Sequence, residues 1–328
     1  MPKRRLAVLA VAVALIAPSS YVPVSFAQDG YPSRPIRMIV PFPPGGSTDV
    51  LGRIVAEELR AAFGQPVVVE NKPGAGGNIG GELAAKSPPD GHTLLMAAAG
   101  PTVINPSLYA RMPYDPARDL APVSLLVNDH NVMAVHPAVP AKTVAEFIDW
   151  ANANPGRVTF GSPGNGTPAH LGGELFNQMA GTSMTHVPYK GSGPAVTDLM
   201  AGQISVMIDN MPALLPHAQS GRLRALAVAS EARASGAPDI PTVAESGLPG
   251  FTVTAWKGLM VPAGTPAPII AKLNEALKAI VAKPAIRQKL VEMGAEPVAS
   301  SPQAFADLIA RETKSWAALV KSTGARID

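Results

Sequence analysis

Short apolar runs alternate along this chain with longer stretches whose apolar residues recur every three or four positions. Ile36-Arg37-Met38-Ile39-Val40 has the character of a buried strand. Thr48–Phe63 follows as an amphipathic helix, with Leu51, Val55, Leu59 and Phe63 four residues apart, Gly64 just past the end and Pro66 beyond it. Val67-Val68-Val69 is the next strand, Gly76–Lys86 a helix and Thr93–Ala97 a third strand. Strand, helix, strand, helix, strand predicts a parallel α/β sheet. A second series begins after residue 130. Helices are expected at Val144–Asn152, His170–Met179 and Ala195–Ala201. Strands are expected at Val158–Gly161, Met184–Val187, Ile204–Asp209 and Leu226–Ala229. Phe251–Val261 is extended, Ala237–Gly250 irregular, and Ile269–Val281 and Pro302–Thr323 are C-terminal helices. The pattern describes two α/β lobes, sequential or interleaved.

The first 27 residues stand apart. Lys3-Arg4-Arg5 precedes a 12-residue apolar run, Leu6–Ala17, and Ser25-Phe26-Ala27 follows before Gln28. A basic start, a short apolar centre and a small-x-small site describe a signal peptide cleaved near Ala27. The run is too short for a spanning helix, which needs about 20 apolar residues. The mature product is expected in the periplasm. All the excess charge lies in that leader: 27 basic residues less its three leaves 24 against 24 acids. A neutral chain with 5% aromatics offers no basic footprint for nucleic acid. Zero Cys excludes disulfides, cysteine nucleophiles and thiolate metal sites.

An internal echo marks the candidate site. Pro44-Gly45-Gly46-Ser47-Thr48 and Pro163-Gly164-Asn165-Gly166-Thr167 both read P-G-x-x-T, each between a strand and a helix. Two further turns, Lys72–Asn78 and Tyr189–Pro194, have the same Gly-rich character. A helix N-terminus leaves backbone N–H groups unpaired and carries about half a positive charge, so such a turn can hold an anion without Lys or Arg. All four lie at carboxyl ends of strands, where ligands of open α/β sheets bind. Helix capping alone is the competing role for any one of them. Asp49 suits a first-turn acid that complements the helix dipole, and His170 suits packing better than ligand contact. Catalytic signatures are missing: Ile79 breaks a dinucleotide fingerprint, and no Gly-Lys pair, G-x-S-x-G elbow or H-E-x-x-H occurs. The six His include no i, i+3 or i+4 pair. Neither a cofactor nor a metal is expected.

These residues resemble a known family. Tyr31-Pro32-Ser33-Arg34-Pro35-Ile36, Val40–Asp49 (VPFPPGGSTD), Val69–Gly77 (VENKPGAGG), Pro89–Leu95 (PDGHTLL), Asn105–Tyr109, Tyr189-Lys190-Gly191, Asp209-Asn210 and Pro262–Pro266 are similar, in order, to the substrate-binding proteins of tripartite tricarboxylate transporters, the Bug-type periplasmic receptors. The resemblance implies a two-lobed periplasmic-binding-protein fold, with two parallel-rich sheets flanked by helices and a hinge of crossing strands near Asn131–Pro137 and Phe251–Val261. It implies residues 28–130 as the first part of lobe one, 131–250 as lobe two, and 251–328 returning to lobe one. It implies a non-enzymatic, monomeric receptor that closes on a small carboxylate and delivers it to membrane subunits of a transporter. Phe42, Gly45, Gly46, Ser47, Thr48 and Asp49, with Ala75, Gly76 and Gly77, would form lobe one's grip. Ser162, Asn165, Gly166, Thr167, Tyr189, Lys190, Gly191 and Asp209 would form lobe two's. Two places depart from the family pattern: Ala97–Pro101 is bland, and Lys257 stands where an aromatic is common. A Lys257 facing the cleft would select a second carboxylate. A secreted α/β esterase or lyase, and a receptor serving a sensor instead of a transporter, are the rival functions.

Overall fold

The computed structural model describes residues 30–327; the leader assigned to residues 1–27 lies outside them. Elements run in the order β1 (Ile36–Val40), α1 (Ser47–Phe63), β2 (Val67–Asn71), α2 (Asn78–Ala85), β3 (Thr93–Ala98), α3 (Asn105–Leu108), α4 (Pro116–Asp119) and β4 (Leu120–Val135). Then follow α5 (Val144–Ala153), β5 (Thr159–Ser162), α6 (Pro168–Ala180), β6 (Thr185–Pro188), α7 (Ser192–Met200), β7 (Val206–Asn210), α8 (Met211–Gln219) and β8 (Arg224–Val228). The chain closes with β9 (Thr254–Pro262), α9 (Ala267–Ala282), α10 (Pro284–Glu292), β10 (Ala295–Pro297) and α11 (Pro302–Thr323).

The strands form two groups joined through one long strand. In the first, β2-β1-β3 are parallel, and β9 adds antiparallel to β3. In the second, β6-β5-β7 are parallel, and β8 lies beside β4. The 16-residue β4 belongs to both. Leu120–His130 pairs with β9, and Asn131–Val135 pairs with β7. The path β2-β1-β3-β9-β4-β7-β5-β6 is therefore one continuous sheet of two parallel cores, bridged by antiparallel β9 and β4. This is the two-lobed α/β architecture that the resemblance implied.

Alternation along the strands sets the layers. Ile36, Met38 and Val40 of β1, with Leu94 and Met96 of β3, pack with Leu51, Val55 and Leu59 of α1 and with Leu273 and Leu277 of α9. Ile39 and Leu95 face the other way, into a second cluster that runs across both strand groups to Phe160, Ile208, Phe176 and Phe305. Both faces are thus buried, which is why these strands are continuous apolar runs instead of alternating ones. The fit is close: a Cβ on Gly52 of α1 would stand 3.0 Å from Val40. Helix α1 stops at Gly64, whose φ of 69° lets its N–H reach Arg60 O.

At the junction, Asn131 is fully buried. Its Nδ2 donates to Val253 O at 3.0 Å, and its Oδ1 accepts from Asn210 Nδ2 at 2.7 Å. Ala229 N donates to its carbonyl at 2.7 Å. One side chain thus ties outgoing β4 to the returning segment before β9. Leaving a buried polar group unpaired costs about 1–3 kcal/mol. Asn131→Ala strands Val253 O and Asn210 Nδ2 together and is expected to lower unfolding free energy by about 2–4 kcal/mol. Urea denaturation checks this; an unchanged midpoint would show that the junction does not depend on the side chain.

Candidate functional site

Three helix N-termini, from α1, α6 and α7, open onto one cavity of about 60 Å³ between the strand groups. A single water needs roughly 10–15 Å³, so there is room for several such groups. Gly46-Ser47-Thr48 comes from α1, Thr167-Pro168-Ala169 from α6 and Gly191-Ser192-Gly193-Pro194 from α7. Phe42–Pro44, Pro163, Ala98-Ala99-Gly100, Asp129, Asp209-Asn210 and Ala255-Trp256-Lys257 complete the wall.

The prolines decide which amides remain free. Pro168 sits in the first turn of α6 and has no N–H, and His170 N is taken by Thr167 Oγ1 at 3.3 Å. From α6, Ala169 N is left. Pro194 likewise leaves Ser192 and Gly193 as donors of α7's first turn, and α1 offers Ser47 and Thr48. First-turn amides have no acceptor inside their own helix, and each N-terminus contributes about half a positive charge. The cavity is thus faced by partial positive charge from several directions.

Acidic side chains oppose this on the remaining wall. Lys257 and Asp129, each 2% exposed, form a direct buried ion pair. Lys257 therefore does face the cavity, with its ammonium already engaged. Asp209, also 2% exposed, accepts from Asn210 N at 2.8 Å through Oδ1, and the Ser192 side chain hydrogen-bonds to the same carboxyl. Burial pushes its carboxyl up to about 6, against the pull of Ser192, the Asn210 amide and Lys257. Trp256 is anchored from behind, its Nε1 donating to Glu312 Oε2 of α11 at 2.6 Å. Burial raises the Glu312 carboxyl above its ordinary range.

The expected grip residues divide into three sets. Phe42, Gly46, Ser47, Thr48, Thr167, Gly191 and Asp209 line the cavity. Ala75, Gly76, Gly77, Asn165, Tyr189 and Lys190 line an adjoining space of about 540 Å³ that shares Phe42, Pro43 and Pro163 with it. Gly45, Asp49, Ser162 and Gly166 line neither and shape the turns. Asp49 accepts from Gly45 N (2.9 Å), Arg53 Nε (3.0 Å) and Asn71 Nδ2 (2.8 Å). Burial alone would raise its carboxyl, but these donors hold it below the usual range. Ser162 Oγ accepts from Gly164 N at 3.2 Å and meets His186 Nε2 at 2.7 Å. His186 stacks on His170 at 4.2 Å, and His170 Nδ1 accepts from Gly166 N. Burial lowers His170 to about 4; burial, then His170 itself, lowers His186 to about 3. Both rings are neutral packing groups, as expected for His170. Sequence reasoning missed Asp129; Ser192, Asn210 and Ala98–Gly100 lie in stretches it singled out (Tyr189–Pro194, Asp209-Asn210 and Ala97–Pro101) but were not named among the grip residues. Asp129 sits in the polar run Asn128-Asp129-His130-Asn131, which carries no spacing signal. Among the described residues, no three His, Asp or Glu side chains gather as metal ligands.

The two sides of the cleft touch through side chains and backbone. Ser47 Oγ donates to Asn210 Oδ1 at 3.1 Å. A Cβ on Gly76 would meet Asn165 O at 2.5 Å, and one on Gly100 would meet Gly166 O at 2.9 Å. One on Gly191 would stand 3.0 Å from Pro43. Glycine on both sides permits this close approach across the cleft.

A family model described as "Tripartite tricarboxylate transporter family receptor" matches residues 51–325. Protein BugT of Bordetella pertussis is 42% identical over 325 residues, covering 99% of this chain and 98% of its own. The structure is similar to R. palustris Rpa4515 with adipate (TM-score 0.88, 36% identity, 90% of this chain and 100% of that one). It is also similar to the periplasmic binding protein BugD (0.86, 35%, 90% and 99%). MatC from Rhodopseudomonas palustris with bound malate gives 0.84 at 33%, over 88% and 100%. With the family model covering most of its length and a relative at this identity over nearly all of it, the chain belongs to the tripartite tricarboxylate transporter receptor family, among periplasmic solute-binding proteins.

Proposed function

We propose that this protein is a non-enzymatic periplasmic receptor that captures a small carboxylate through backbone amides and delivers it to the membrane subunits of a tripartite transporter. The observation that carries the reading is the convergence of three helix N-termini on one buried cavity without an unpaired Lys or Arg. Relatives bound to adipate and malate support a carboxylate as the ligand. The basic-then-apolar leader supports export with cleavage near Ala27. Among the described residues no helix is long and apolar enough to cross a membrane, in keeping with a partner that supplies the membrane part.

Capture works by closure. Residues 28–130 with 251–328 form one jaw in this reading, and residues 131–250 form the other. Ser47–Asn210 and the glycine contacts exist in the closed arrangement, so a ligand that bridges both sets of amides stabilises it over the open one. Hydrogen bonds to a charged group contribute about 1.5–3 kcal/mol each, and three of them less association costs reach the roughly −8 kcal/mol of a micromolar site.

A screen of mono-, di- and tricarboxylates and amino acids by thermal melting tests the reading. The right acid at 100 times its Kd is expected to raise Tm by about 5–10 °C. No shift with any acid, or turnover of a bound one, would overturn it. Ser47→Ala removes a hydrogen bond across the cleft and is expected to weaken binding about 2–10-fold by calorimetry. Gly100→Ala is the sharper probe of closure. Its φ is not in the left-handed region, so the added methyl acts through its clash with the Gly166 carbonyl. An affinity loss of about tenfold or more is expected, with a larger radius of gyration in X-ray scattering at matched ligand concentration. Unchanged affinity would mean that binding does not need this closed form.

A further inference from the structure

We infer that Asn105 is a positioning residue of the binding site: it lines neither the cavity nor the adjoining space, yet both glycine-rich turns that meet at their border rest on its side chain. Its consequence for affinity rests on the receptor reading above; its placement rests on contacts alone.

Asn105 opens the short helix α3 and is fully buried. Its Nδ2 donates to Asn78 Oδ1 at 2.7 Å and to Gly76 O at 3.3 Å. Both acceptors belong to the turn that leads into α2. Gly74-Ala75-Gly76-Gly77 has no polar side chain of its own, and Gly76 takes a φ of 62°, where glycine moves freely. The side-chain brace of this turn therefore comes from outside it, from Asn105.

The other face of the same amide meets the opposite strand group. Asn105 Oδ1 accepts no hydrogen bond among the described residues and faces Gly166. A Cβ on Gly166 would stand 2.0 Å from this oxygen and 3.1 Å from Leu108. A C–H of Gly166, a weak donor, thus fills the place of an N–H. Gly166 also presses its carbonyl towards Gly100, and its N–H donates to His170 Nδ1 at 3.3 Å. The next residue is Thr167, which caps α6 and lines the cavity. A shift of Gly166 on its seat carries Thr167 and the free Ala169 amide with it. The corner that bears Asn105 is pinned in turn by the C-terminal segment: Ile327 N donates to Leu108 O at 2.9 Å, and Ala110 N donates to Ile327 O at 3.0 Å.

Hydrogen exchange read by mass spectrometry on the ligand-free mature protein tests this. Asn105→Ala is expected to speed exchange about tenfold in peptides spanning residues 73–79 and 163–170, with β1 and β7 unchanged. Unchanged exchange in those two peptides, or equal acceleration along the whole chain, overturns the inference. Should Asn105→Ala fail to fold, a chain ending at Ala325 takes its place. It lacks both Ile327 bonds to the corner and is expected to speed exchange in 73–79; an unchanged rate there overturns the inference. Calorimetry with malate, adipate and the strongest acid of the melting screen gives the functional readout. Asn105→Ala is expected to bind whichever of these the wild type binds about tenfold more weakly. Equal affinity overturns the positioning role while the receptor reading stands. A wild-type protein that binds no acid overturns the receptor reading, and the exchange rates still decide whether Asn105 seats both turns.

Discussion

The side chain of Asn131 joins the two halves of this molecule. It donates to Val253 O on the returning segment and accepts from Asn210. Asn210 in turn accepts from Ser47 across the cleft. The junction and the cavity wall are therefore consecutive links in one hydrogen-bonded chain. Fully buried amides are costly unless every partner is present, so the crossing of β4 and the chain before β9 is held in one register. That register decides where Asp129, Lys257 and Asp209 meet.

Around this junction the cavity is walled by helix N-termini, and the one Lys in its wall is already paired with Asp129. Helix N-termini are fixed by the fold and lose no side-chain freedom on binding. Prolines at the starts of α6 and α7 thin the available donors to a few, which makes the grip directional. Glycines at 76, 100 and 191 allow the two sides of the cleft to stand so close that backbone meets backbone or a proline ring. Opposite the helices stand the Lys257–Asp129 ion pair and a further buried acid, Asp209. The wall is polarised: first-turn amides lie on one side and carboxylates on the other.

Much of the fold was legible in the sequence because its signals are local. The period of Leu51, Val55 and Leu59 marks α1, and the apolar runs of β1 and β3 mark strands buried on both faces. Strand β4 was not legible. Pro122 lies within it, bulges near Ser124 and Val127 break its alternation, and its centre is polar. Helix α8 was missed because Pro212 and Pro216 both sit inside it. Helix α10, with Leu290 its one buried residue, has too narrow an apolar face to register. In the site, the Gly-rich turns were visible, but their division among cavity, mouth and turn scaffold was not.

The sequence by itself determined most of the elements, the four glycine-rich strand-to-helix turns and the lack of catalytic signatures, because periodicity and turn chemistry act over a few residues. Tertiary structure alone decided which three of those turns share a cavity, that Lys257 faces it already paired with Asp129, and that Asp209 lies buried in the same wall. Those facts are distances between residues far apart in the chain. They follow from strand order and register, which no local pattern encodes.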